Sequence, residues 1–507
     1  MKVYLATLGC KLNEGELEAW SRQLAGGGHE IVSEPQQADL CVLNTCTVTH
    51  VAARKSRQLA RQLARSNPNA RLVLTGCYAS VAPDEAKNLP NVALVVANAD
   101  KDRLVALAGE LLGDARFQTT ETGCRLPEAV SGELQSTVNS EQLTANIEQL
   151  TVNSIQSYIQ HPTSNIQHPT SNLQLPTSRT RAFVKVMDGC NMSCTYCIIP
   201  LARGRERSRP LSEVVDEIKS LVDAGYQEII LTGVQISVYR DSRTNCSPPF
   251  HSGDLRQFVL RDLVAAILGE TNVPRLRLTS IAPWDLDESL LDLWSDARLC
   301  RHLHLSLQSG ADTVLRRMRR AYSTEQFARV ANLARERIPD VGVTTDVIVG
   351  FPGESDVEFE QSLRFVEQMQ FSRVHVFPYS AREGTVAARL PLHVSEPVKQ
   401  ARAKQMQQVA DASARAFAER FIGREMNVLW ETQERESGRE GERENSALPL
   451  WYGYTDNYIR VIAESEAALH NQITSARISR LSNDGVLGEL SNLQSPISNL
   501  HSPISNP

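Results

Sequence analysis

A short loop near the middle of the chain contains three cysteines, Cys190, Cys194 and Cys197. Three thiolates in so short a segment can ligate three irons of a 4Fe-4S cluster, which leaves the fourth iron without a protein ligand and open to chemistry. A structural zinc site is the alternative, but it requires four ligands, usually in CxxC pairs, and no fourth Cys or His lies nearby. A disulfide is disfavoured because nothing in the sequence indicates an oxidising compartment. The spacing therefore favours an iron–sulfur cluster.

Three further cysteines, Cys10, Cys46 and Cys77, each follow a predicted strand in the N-terminal part of the chain. Because the carboxyl ends of parallel strands lie along one edge of an open sheet, we expect these thiols to converge on one site. Three thiols there could hold a second cluster, again one ligand short. The alternative for each is an ordinary buried cysteine, which behaves as a small hydrophobic residue. That interpretation is preferred for the remaining cysteines, Cys41, Cys124, Cys246 and Cys300.

The composition is that of a soluble globular protein. The chain has 507 residues, of which 41% are hydrophobic and 22% are charged, and this length allows two to four domains. The net charge of -6 does not by itself indicate a nucleic-acid-binding protein. No apolar run is long enough for a membrane helix, and the first residues are typical of a strand rather than of a secretory signal. We therefore expect a cytoplasmic protein with reduced thiols and no membrane partner.

Strand and helix patterns predict an α/β protein with three folded units. Over 1–118, apolar strands alternate with amphipathic helices, which predicts a flavodoxin-like parallel-sheet domain. Residues 180–420 contain six strand candidates separated by helical patterns, and they predict a partial (βα)6 TIM-type barrel. Residues 421–486 are rich in β-branched and turn residues and predict a small C-terminal β-barrel. Two segments rich in Ser, Thr, Gln, Asn and Pro, 119–179 and 487–507, are predicted to be disordered because they have too little apolar surface to pack.

The strands of both barrels can be assigned individually. In the larger barrel the candidates are 183–187, 228–231, 275–279, 302–307, 343–349 and 373–377. In the smaller barrel they are 426–429, 453–461 and 472–478, with a charged loop predicted at 431–444.

The run Asp188–Pro200 resembles the cluster loop of radical S-adenosylmethionine enzymes. It is most similar to their methylthiotransferase branch, whose members also have an N-terminal domain with three cluster cysteines. The resemblance covers essentially all of the chain except the two low-complexity segments and the charged loop. Other segments that carry it are Ala202-Arg203-Gly204, Arg207–Pro210, Leu305–Gly310 and Val349–Glu354.

The resemblance implies two 4Fe-4S clusters and S-adenosyl-L-methionine as cofactors. The open iron held by Cys190, Cys194 and Cys197 would bind the amino and carboxylate groups of S-adenosylmethionine, and these three cysteines are the predicted catalytic residues. One electron would then yield methionine and a 5′-deoxyadenosyl radical, which can abstract hydrogen from an unactivated C–H bond. The cluster at Cys10, Cys46 and Cys77 would carry the sulfur that is inserted, and a second S-adenosylmethionine would provide the methyl group.

Contacts to S-adenosylmethionine are expected where strands of the larger barrel end, since such barrels place their sites there. One group follows the second strand and matches the family segment near the methionine amino group. Two more groups follow the fourth and fifth strands, and the small residues after the fifth would let the backbone approach adenosine. A plain Gly-Pro turn is the alternative for that last group. The residues are Thr232, Gly233, Gln235, Gln308, Ser309, Gly350, Pro352 and Gly353.

The substrate is indicated by four segments that are similar to the branch modifying N6-threonylcarbamoyladenosine in tRNA. They are Thr7–Asn13, Asn44–Thr49, Lys55–Gln58 and Gly453–Tyr458. Methylthiolation of isopentenyladenosine or of a ribosomal-protein aspartate remains an alternative, and an RNA-binding Fe-S sensor is the non-enzymatic one. The implied partners are the tRNA anticodon stem-loop, an electron donor such as flavodoxin or ferredoxin, and a sulfur donor.

The C-terminal unit is similar to the RNA-binding barrel called TRAM that ends these enzymes. In this chain it has more acidic than basic residues, which argues against a strong phosphate-binding surface. Arg203 and Arg205 are therefore expected to share that task. Tyr454 and Tyr458 are interpreted either as platforms for stacking bases or as buried barrel residues.

Overall fold

The computed structural model describes residues 1–113, 179–241, 258–433 and 448–491. Nearly all of the two low-complexity segments and most of the charged loop lie outside these ranges, as do Cys124 and Cys246. Within the described residues, no helix combines the length and the apolar character needed to cross a membrane.

The N-terminal unit is a five-stranded parallel sheet with the strand order β2-β1-β3-β4-β5, which is the predicted flavodoxin-like order. Its strands are β1 (Lys2–Thr7), β2 (Glu30–Ile31), β3 (Leu40–Thr45), β4 (Arg71–Gly76) and β5 (Val92–Val96). Its helices are α1 (Lys11–Gly26), α2 (His50–Ser66), α3 (Cys77–Val81), α4 (Pro83–Lys87) and α5 (Leu104–Leu112). Two apolar clusters cover the two faces of the sheet, one containing Leu43 and Leu74 and the other Val42 and Val73. Both faces are therefore buried, as expected for a parallel sheet.

The second unit is built on two three-stranded parallel sheets, β12-β9-β6 and β13-β14-β15. Parallel bridges between Leu276 and Leu299 and between Ile281 and Leu305 connect the two sheets, so six strands form an open barrel as predicted. The strands are β6 (Arg181–Lys185), β7 (Met187–Asp188), β8 (Arg207–Ser208), β9 (Glu228–Thr232), β10 (Arg240–Asp241), β11 (Phe258–Val259), β12 (Arg275–Leu278), β13 (His302–His304), β14 (Gly342–Val349) and β15 (Arg373–Pro378). The helices are α6 (Ile199–Arg203), α7 (Leu211–Asp223), α8 (Leu260–Glu270), α9 (Glu288–Leu291), α10 (Asp312–Arg317), α11 (Thr324–Arg337), α12 (Asp356–Met369) and α13 (Glu396–Glu419).

The outer face of the six barrel strands is apolar, whereas the inner face carries many charged and polar side chains. Successive residues of a strand point to opposite sides, so alternate positions share a face. On β14, Val343 and Val347 belong to the main apolar core with the covering helices, which puts Thr344 and Asp346 on the inner face. The same argument assigns further residues to the inner face, namely Arg181, Lys185, Glu228, Arg275, Arg277, His302, His304 and His375. The same alternation puts Phe183, Ile230, Ile348 and Phe377 on this face, so the interior, here called the chamber, is lined by charged, polar and apolar side chains.

The third unit is a closed five-stranded barrel, β16-β17-β18-β20-β19, as predicted. Its strands are β16 (Glu425–Gln433), β17 (Leu450–Thr455), β18 (Arg460–Glu464), β19 (Ile473–Ser482) and β20 (Gly485–Leu490).

Two assignments in this unit were wrong. The single strand predicted at 453–461 is two strands, because the chain turns between them and Tyr458 adopts a positive φ of 72°. The barrel also continues to Leu490, past the predicted end at 486, because β20 pairs with both β18 and β19.

Contacts between the units fix their relative positions. Helix α1 packs against the edge strand β6, where a Cβ on Gly15 would lie 2.8 Å from the carbonyl oxygen of Phe183. The C-terminal barrel lies against the amino ends of the strands in the second unit. There Arg277 donates to the carbonyl oxygen of Asp456 at 3.0 Å, and Arg275 donates to that of Asn427 at 2.8 Å.

Candidate functional site

Cys10, Cys46 and Cys77 follow β1, β3 and β4, which are neighbours in the sheet. Adjacent strands are about 4.8 Å apart, so the fold brings the three thiols together as the sequence predicts. Glycine precedes two of them because the backbone passes very close to its neighbours there. Gly9 has a φ of 120° and a Cβ on it would lie 2.9 Å from the Cβ of Cys46, while Gly76 has a φ of 96° and a Cβ on it would overlap the backbone of Thr45.

The protein shields these thiols from water, and the thiols lie close enough to affect each other's pKa. Burial, followed by the neighbouring Cys77 and Cys10 thiols, raises the pKa of Cys46 to about 12. Burial also raises the pKa of Cys10, although its side chain is exposed, so the Cys10 thiol faces a space enclosed by protein. Ser56 of α2 holds the loop in place: its hydroxyl accepts from the Cys46 amide at 3.0 Å and donates to the Cys46 carbonyl at 2.9 Å.

These residues fit an iron–sulfur cluster better than a single metal ion. A tetrahedral zinc ion requires thiolate sulfurs within about 4 Å of one another, given Zn–S bonds of about 2.3 Å. Neither cysteine set appears among the described groups whose ligand atoms all lie within 4.8 Å. The buried hydroxyls of Thr7 and Thr75, at the ends of β1 and β4, have no hydrogen-bond partner within the described residues. Such donors are suited to the bridging and terminal sulfurs of a cluster.

The second cysteine set lies in the loop after β7. Gly189 has a φ of 73°, and a Cβ there would collide with the carbonyl oxygen of Arg205, so only glycine fits before Cys190. The loop is held against the barrel by Thr195, whose amide donates to the Met318 carbonyl at 3.1 Å. Burial and the neighbouring thiols raise the pKa of Cys197 to about 12.

Arg320 is a further group at this loop that the sequence reasoning missed. Its Nη1 donates to the Cys194 Sγ at 3.3 Å, and its guanidinium lies over the rings of Trp284 and Tyr322, with its Cζ 5.2 and 5.1 Å from their centroids. A cation beside the thiols stabilises the thiolate form that iron requires. The Arg-Arg-Met-Arg-Arg run containing Arg320 carried no signal that distinguished it from a solvated helix face.

A buried ion-pair network links the two cysteine loops. Arg203 is 2% exposed, and its Nη1 donates to Asp188 Oδ1 at 3.0 Å and to Glu16 Oε1 at 3.2 Å, while its Nη2 donates to Asn13 Oδ1 at 2.6 Å. Asp188 lies two residues before Cys190, and Asn13 lies three after Cys10. The expectation that Arg203 helps to bind RNA is therefore wrong, because it is enclosed by these partners.

The residues predicted to contact S-adenosylmethionine do lie at the carboxyl ends of barrel strands. Thr232 ends β9 and Gly233 follows it against Met187, where a Cβ would be 2.8 Å from the Met187 Cγ. Gln235 follows them, and its Nε2 donates to Asp285 Oδ2 at 3.4 Å.

The remaining predicted contacts follow β13 and β14. Gln308 has a φ of 71° and its backbone pairs with that of Asp346 and Ile348, while Ser309 is completely buried. Gly350 and Gly353 have positive φ values of 71° and 74°, on either side of Pro352. A Cβ on Gly350 would overlap the Lys399 side chain, so this glycine is already needed for packing against α13.

Two family models match the chain. The model of the Radical SAM superfamily matches residues 184–366, within the second unit. The model of an uncharacterized protein family, UPF0004, matches residues 2–97, which contain the first cysteine set.

Curated relatives align with almost the whole chain. The threonylcarbamoyladenosine tRNA methylthiotransferase MtaB of Bacillus subtilis is 34% identical over 475 residues, which is 93% of this chain and 92% of the relative. The protein of the same name from Thermotoga maritima is 32% identical over 494 residues, or 96% of each chain. The tRNA-2-methylthio-N(6)-dimethylallyladenosine synthase of Thermodesulfovibrio yellowstonii is 30% identical over 455 residues, or 89% and 92%.

A solved structure shares the fold. The radical S-adenosylmethionine methyltransferase TsrM from Kitasatospora setae superimposes with a TM-score of 0.50 at 18% identity, over 76% of this chain and 74% of that chain.

Proposed function

We infer the function from the premise that this chain belongs to the radical S-adenosylmethionine methylthiotransferase family. We propose that it adds a methylthio group to carbon 2 of N6-threonylcarbamoyladenosine next to the anticodon of tRNA. The observation that carries this proposal is the pair of three-thiol sites, one in each of two units, linked through Arg203. The two relatives above with the higher identities, 34% and 32%, carry the threonylcarbamoyladenosine name.

The family uses two 4Fe-4S clusters and S-adenosylmethionine. When bound, these cofactors supply a 5′-deoxyadenosyl radical that removes a hydrogen atom, the sulfur that replaces it, and the methyl group. We propose that Cys190, Cys194 and Cys197 hold the cluster that activates S-adenosylmethionine, and that Cys10, Cys46 and Cys77 hold the cluster that delivers sulfur.

The protein residues then bind, orient and exclude water. We propose that S-adenosylmethionine is bound by the residues at the carboxyl ends of β9, β13 and β14, namely Thr232, Gly233, Gln235, Gln308, Ser309, Gly350, Pro352 and Gly353. The positive φ values of Gln308, Gly350 and Gly353 turn the chain sharply at this end of the barrel.

Further partners follow from the chemistry. The reaction consumes an electron and sulfur, so we propose an electron donor such as flavodoxin or ferredoxin, and a separate sulfur donor. We also propose a cytoplasmic location, where tRNA is modified and thiols stay reduced.

Methylthiolation of dimethylallyladenosine is the second candidate, because the relative from Thermodesulfovibrio yellowstonii with that name is 30% identical. Within the chamber, the polar side chains of Thr344, Asp346 and His375 around His304 suit a polar substituent better than an apolar prenyl group.

Nucleoside analysis of tRNA from a deletion strain tests the proposal. Loss of 2-methylthio-N6-threonylcarbamoyladenosine, with its restoration by the wild-type gene but not by a Cys194→Ala gene, is the expected result. Unchanged threonylcarbamoyladenosine derivatives, or loss of the methylthio group from the dimethylallyl nucleoside only, would refute it.

A further inference from the structure

Three partly exposed side chains on the inner face of the barrel form one compact cluster. The ligand atoms of His304, Asp346 and His375 all lie within 4.8 Å of one another, and no other group of metal-ligating type in the described residues is so close. His304 Nε2 is 3.3 Å from Asp346 Oδ2, and its Nδ1 is 3.0 Å from Thr344 Oγ1. His375 makes no side-chain hydrogen bond within the described part of the chain. Its ring nitrogens are therefore free to bind something in the chamber.

Lys11 reaches the same chamber from the N-terminal unit. Its Nζ lies 5.5 Å from the centroid of the Tyr458 ring, which stacks on the His302 ring at 4.7 Å. His302 Nε2 is in turn 3.0 Å from Thr344 Oγ1, the atom that contacts His304. A continuous series of contacts through Tyr458, His302 and Thr344 therefore connects Lys11, the residue after Cys10, to the His304 cluster.

The charges in the chamber indicate the kind of ligand that it can hold. Arg277, whose Cζ is 4.9 Å from the Tyr458 centroid, is balanced by Glu228 at 2.7 Å. Lys11 has no carboxylate within 4.0 Å among the described residues, and Asp346 is the only acid in the cluster. The Lys11 ammonium can pair with an anionic group of a ligand, while the Asp346 carboxylate can accept a hydrogen bond from a hydroxyl of the same ligand. The charge arrangement therefore favours a ligand that carries both an anionic group and a hydroxyl.

We propose that Lys11, together with His375, binds the threonine carboxylate of the substrate nucleoside. This inference rests on the proposed function. The N6 substituent of threonylcarbamoyladenosine ends in a carboxylate and a hydroxyl, which require a cation and hydrogen-bond donors when they leave water. A dimethylallyl substituent offers none of these groups. The cluster thus selects the threonylcarbamoyl nucleoside, and Lys11 places its carboxylate beside the unit that holds Cys10.

A double-mutant cycle between enzyme and substrate tests this assignment. Two anticodon stem-loops are compared, one with threonylcarbamoyladenosine and one with its threoninamide counterpart, which keeps the shape and removes the charge. Reconstituted wild-type enzyme is expected to bind the carboxylate form roughly 10- to 100-fold more tightly, as for a hydrogen bond to a charged group. Lys11→Met is expected to reduce that ratio to about threefold or less, whereas Lys11→Arg, the matched control, keeps it high because it keeps the charge.

Two further measurements keep the outcomes distinct. Iron content is determined for each variant, because Lys11 follows Cys10. X-ray absorption spectroscopy of the holoenzyme at the zinc edge checks whether a zinc ion with nitrogen and oxygen ligands occupies the cluster of His304, Asp346 and His375 instead. The assignment would be overturned if Lys11→Met kept the wild-type affinity ratio, or if the wild-type enzyme did not prefer the carboxylate stem-loop. It would also be overturned by a bound zinc ion that is lost in His375→Ala. Because the ratio is read from binding, it stands apart from turnover. Absence of methylthiolation by the wild-type enzyme would instead contradict the proposed function.

Discussion

Arg203 shows how one buried side chain can connect two cofactor sites. Its guanidinium contacts Asp188 beside one cysteine loop and Asn13 beside the other, and it also pairs with Glu16, which is paired with Lys101. The surrounding carboxylates and thiols raise the pKa of Arg203, although burial alone would lower it. The charge is thus permanent, and its removal would leave Asp188 and Glu16 buried without their partner.

Arg203→Met is expected to destabilise the fold by about 3–5 kcal/mol, since breaking a buried ion pair leaves an uncompensated charge. Because both loops lose a contact, iron content at both sites should fall. Thermal unfolding and iron analysis of the reconstituted protein measure these effects. Arg205→Met is the control, because Arg205 is exposed and should change neither quantity. Full iron content and an unchanged unfolding midpoint in Arg203→Met would show that the network does not support the loops.

The role of Arg203 could not be predicted from its neighbours in sequence. Arg203 and Arg205 were expected to share phosphate binding, but Glu16 and Asn13 lie far away in the chain and meet Arg203 only after two units pack. The six cysteines were easier to predict, because short spacing and strand ends are local signals. The His304 cluster depends on the register of strands, and the position of Lys11 depends on how α1 packs on β6; the sequence reveals neither.

Helix α1 connects the sulfur-site cysteine to the barrel. Cys10 is its N-cap and Lys11 its first residue, and its middle packs on β6 so closely that only glycine fits at position 15. The position of α1 therefore determines where Cys10 and Lys11 lie relative to the chamber.

Gly15→Ala is expected to destabilise the protein by about 1–3 kcal/mol, because the added Cβ would lie 2.8 Å from the Phe183 carbonyl oxygen. Gly26→Ala in the same helix is the matched control, since a Cβ there meets nothing within 4 Å. That control should be neutral or stabilising by up to about 1 kcal/mol through helix propensity. Unfolding curves of both variants give the comparison. Equal effects at the two positions would mean that α1 is free to shift on β6.

Most elements could be predicted, and the failures have physical causes. The strands β9, β12, β14 and β15 of the larger barrel begin and end within one residue of the predicted ranges. The turn between β17 and β18 was missed because Tyr458 adopts a left-handed conformation that is uncommon for tyrosine. Glu431, expected in a flexible loop, is instead in β16 and pairs with Arg181 at 2.5 Å.

The C-terminal barrel is joined to the second unit by buried charges rather than by apolar surface alone. Arg277 pairs with Glu228 and also donates to the carbonyl oxygens of Thr455 and Asp456, while Arg301 contacts the Asp456 carboxylate at 2.6 and 3.0 Å. Tyr454 and Tyr458 stack on each other at 5.0 Å within this interface. The predicted base-stacking role is therefore not available to Tyr458 in this arrangement, because its ring lies between His302, Arg277 and Lys11.

Acid is expected to weaken this interface. Burial alone would raise the pKa of Glu228, but Arg277 outweighs it and lowers the pKa from 4.5 to about 2. Because the pKa is depressed in the folded state, the stabilisation is complete above the unfolded value near 4.5 and is lost as the pH falls towards 2. Glu228→Gln should cost about 3–5 kcal/mol near pH 7, and its difference from wild type should shrink below about pH 4.5.

Urea unfolding at a series of pH values measures this difference. Glu464→Gln is the control, since Glu464 is exposed on β18 and has no ion pair within the described residues. A difference between wild type and Glu228→Gln that stays constant down to about pH 3 would contradict the assigned charge state.

The central claim is that one cysteine set generates the radical and the other delivers sulfur to the same nucleoside. The most direct measurement quantifies 5′-deoxyadenosine and the methylthiolated nucleoside in one anaerobic reaction with reductant, S-adenosylmethionine and tRNA containing threonylcarbamoyladenosine. The wild-type enzyme should form both products, Cys46→Ala should form 5′-deoxyadenosine only, and Cys194→Ala should form neither. Methylthiolated nucleoside from Cys46→Ala, or no 5′-deoxyadenosine from a folded Cys46→Ala protein with its other cluster intact, would contradict this division of roles.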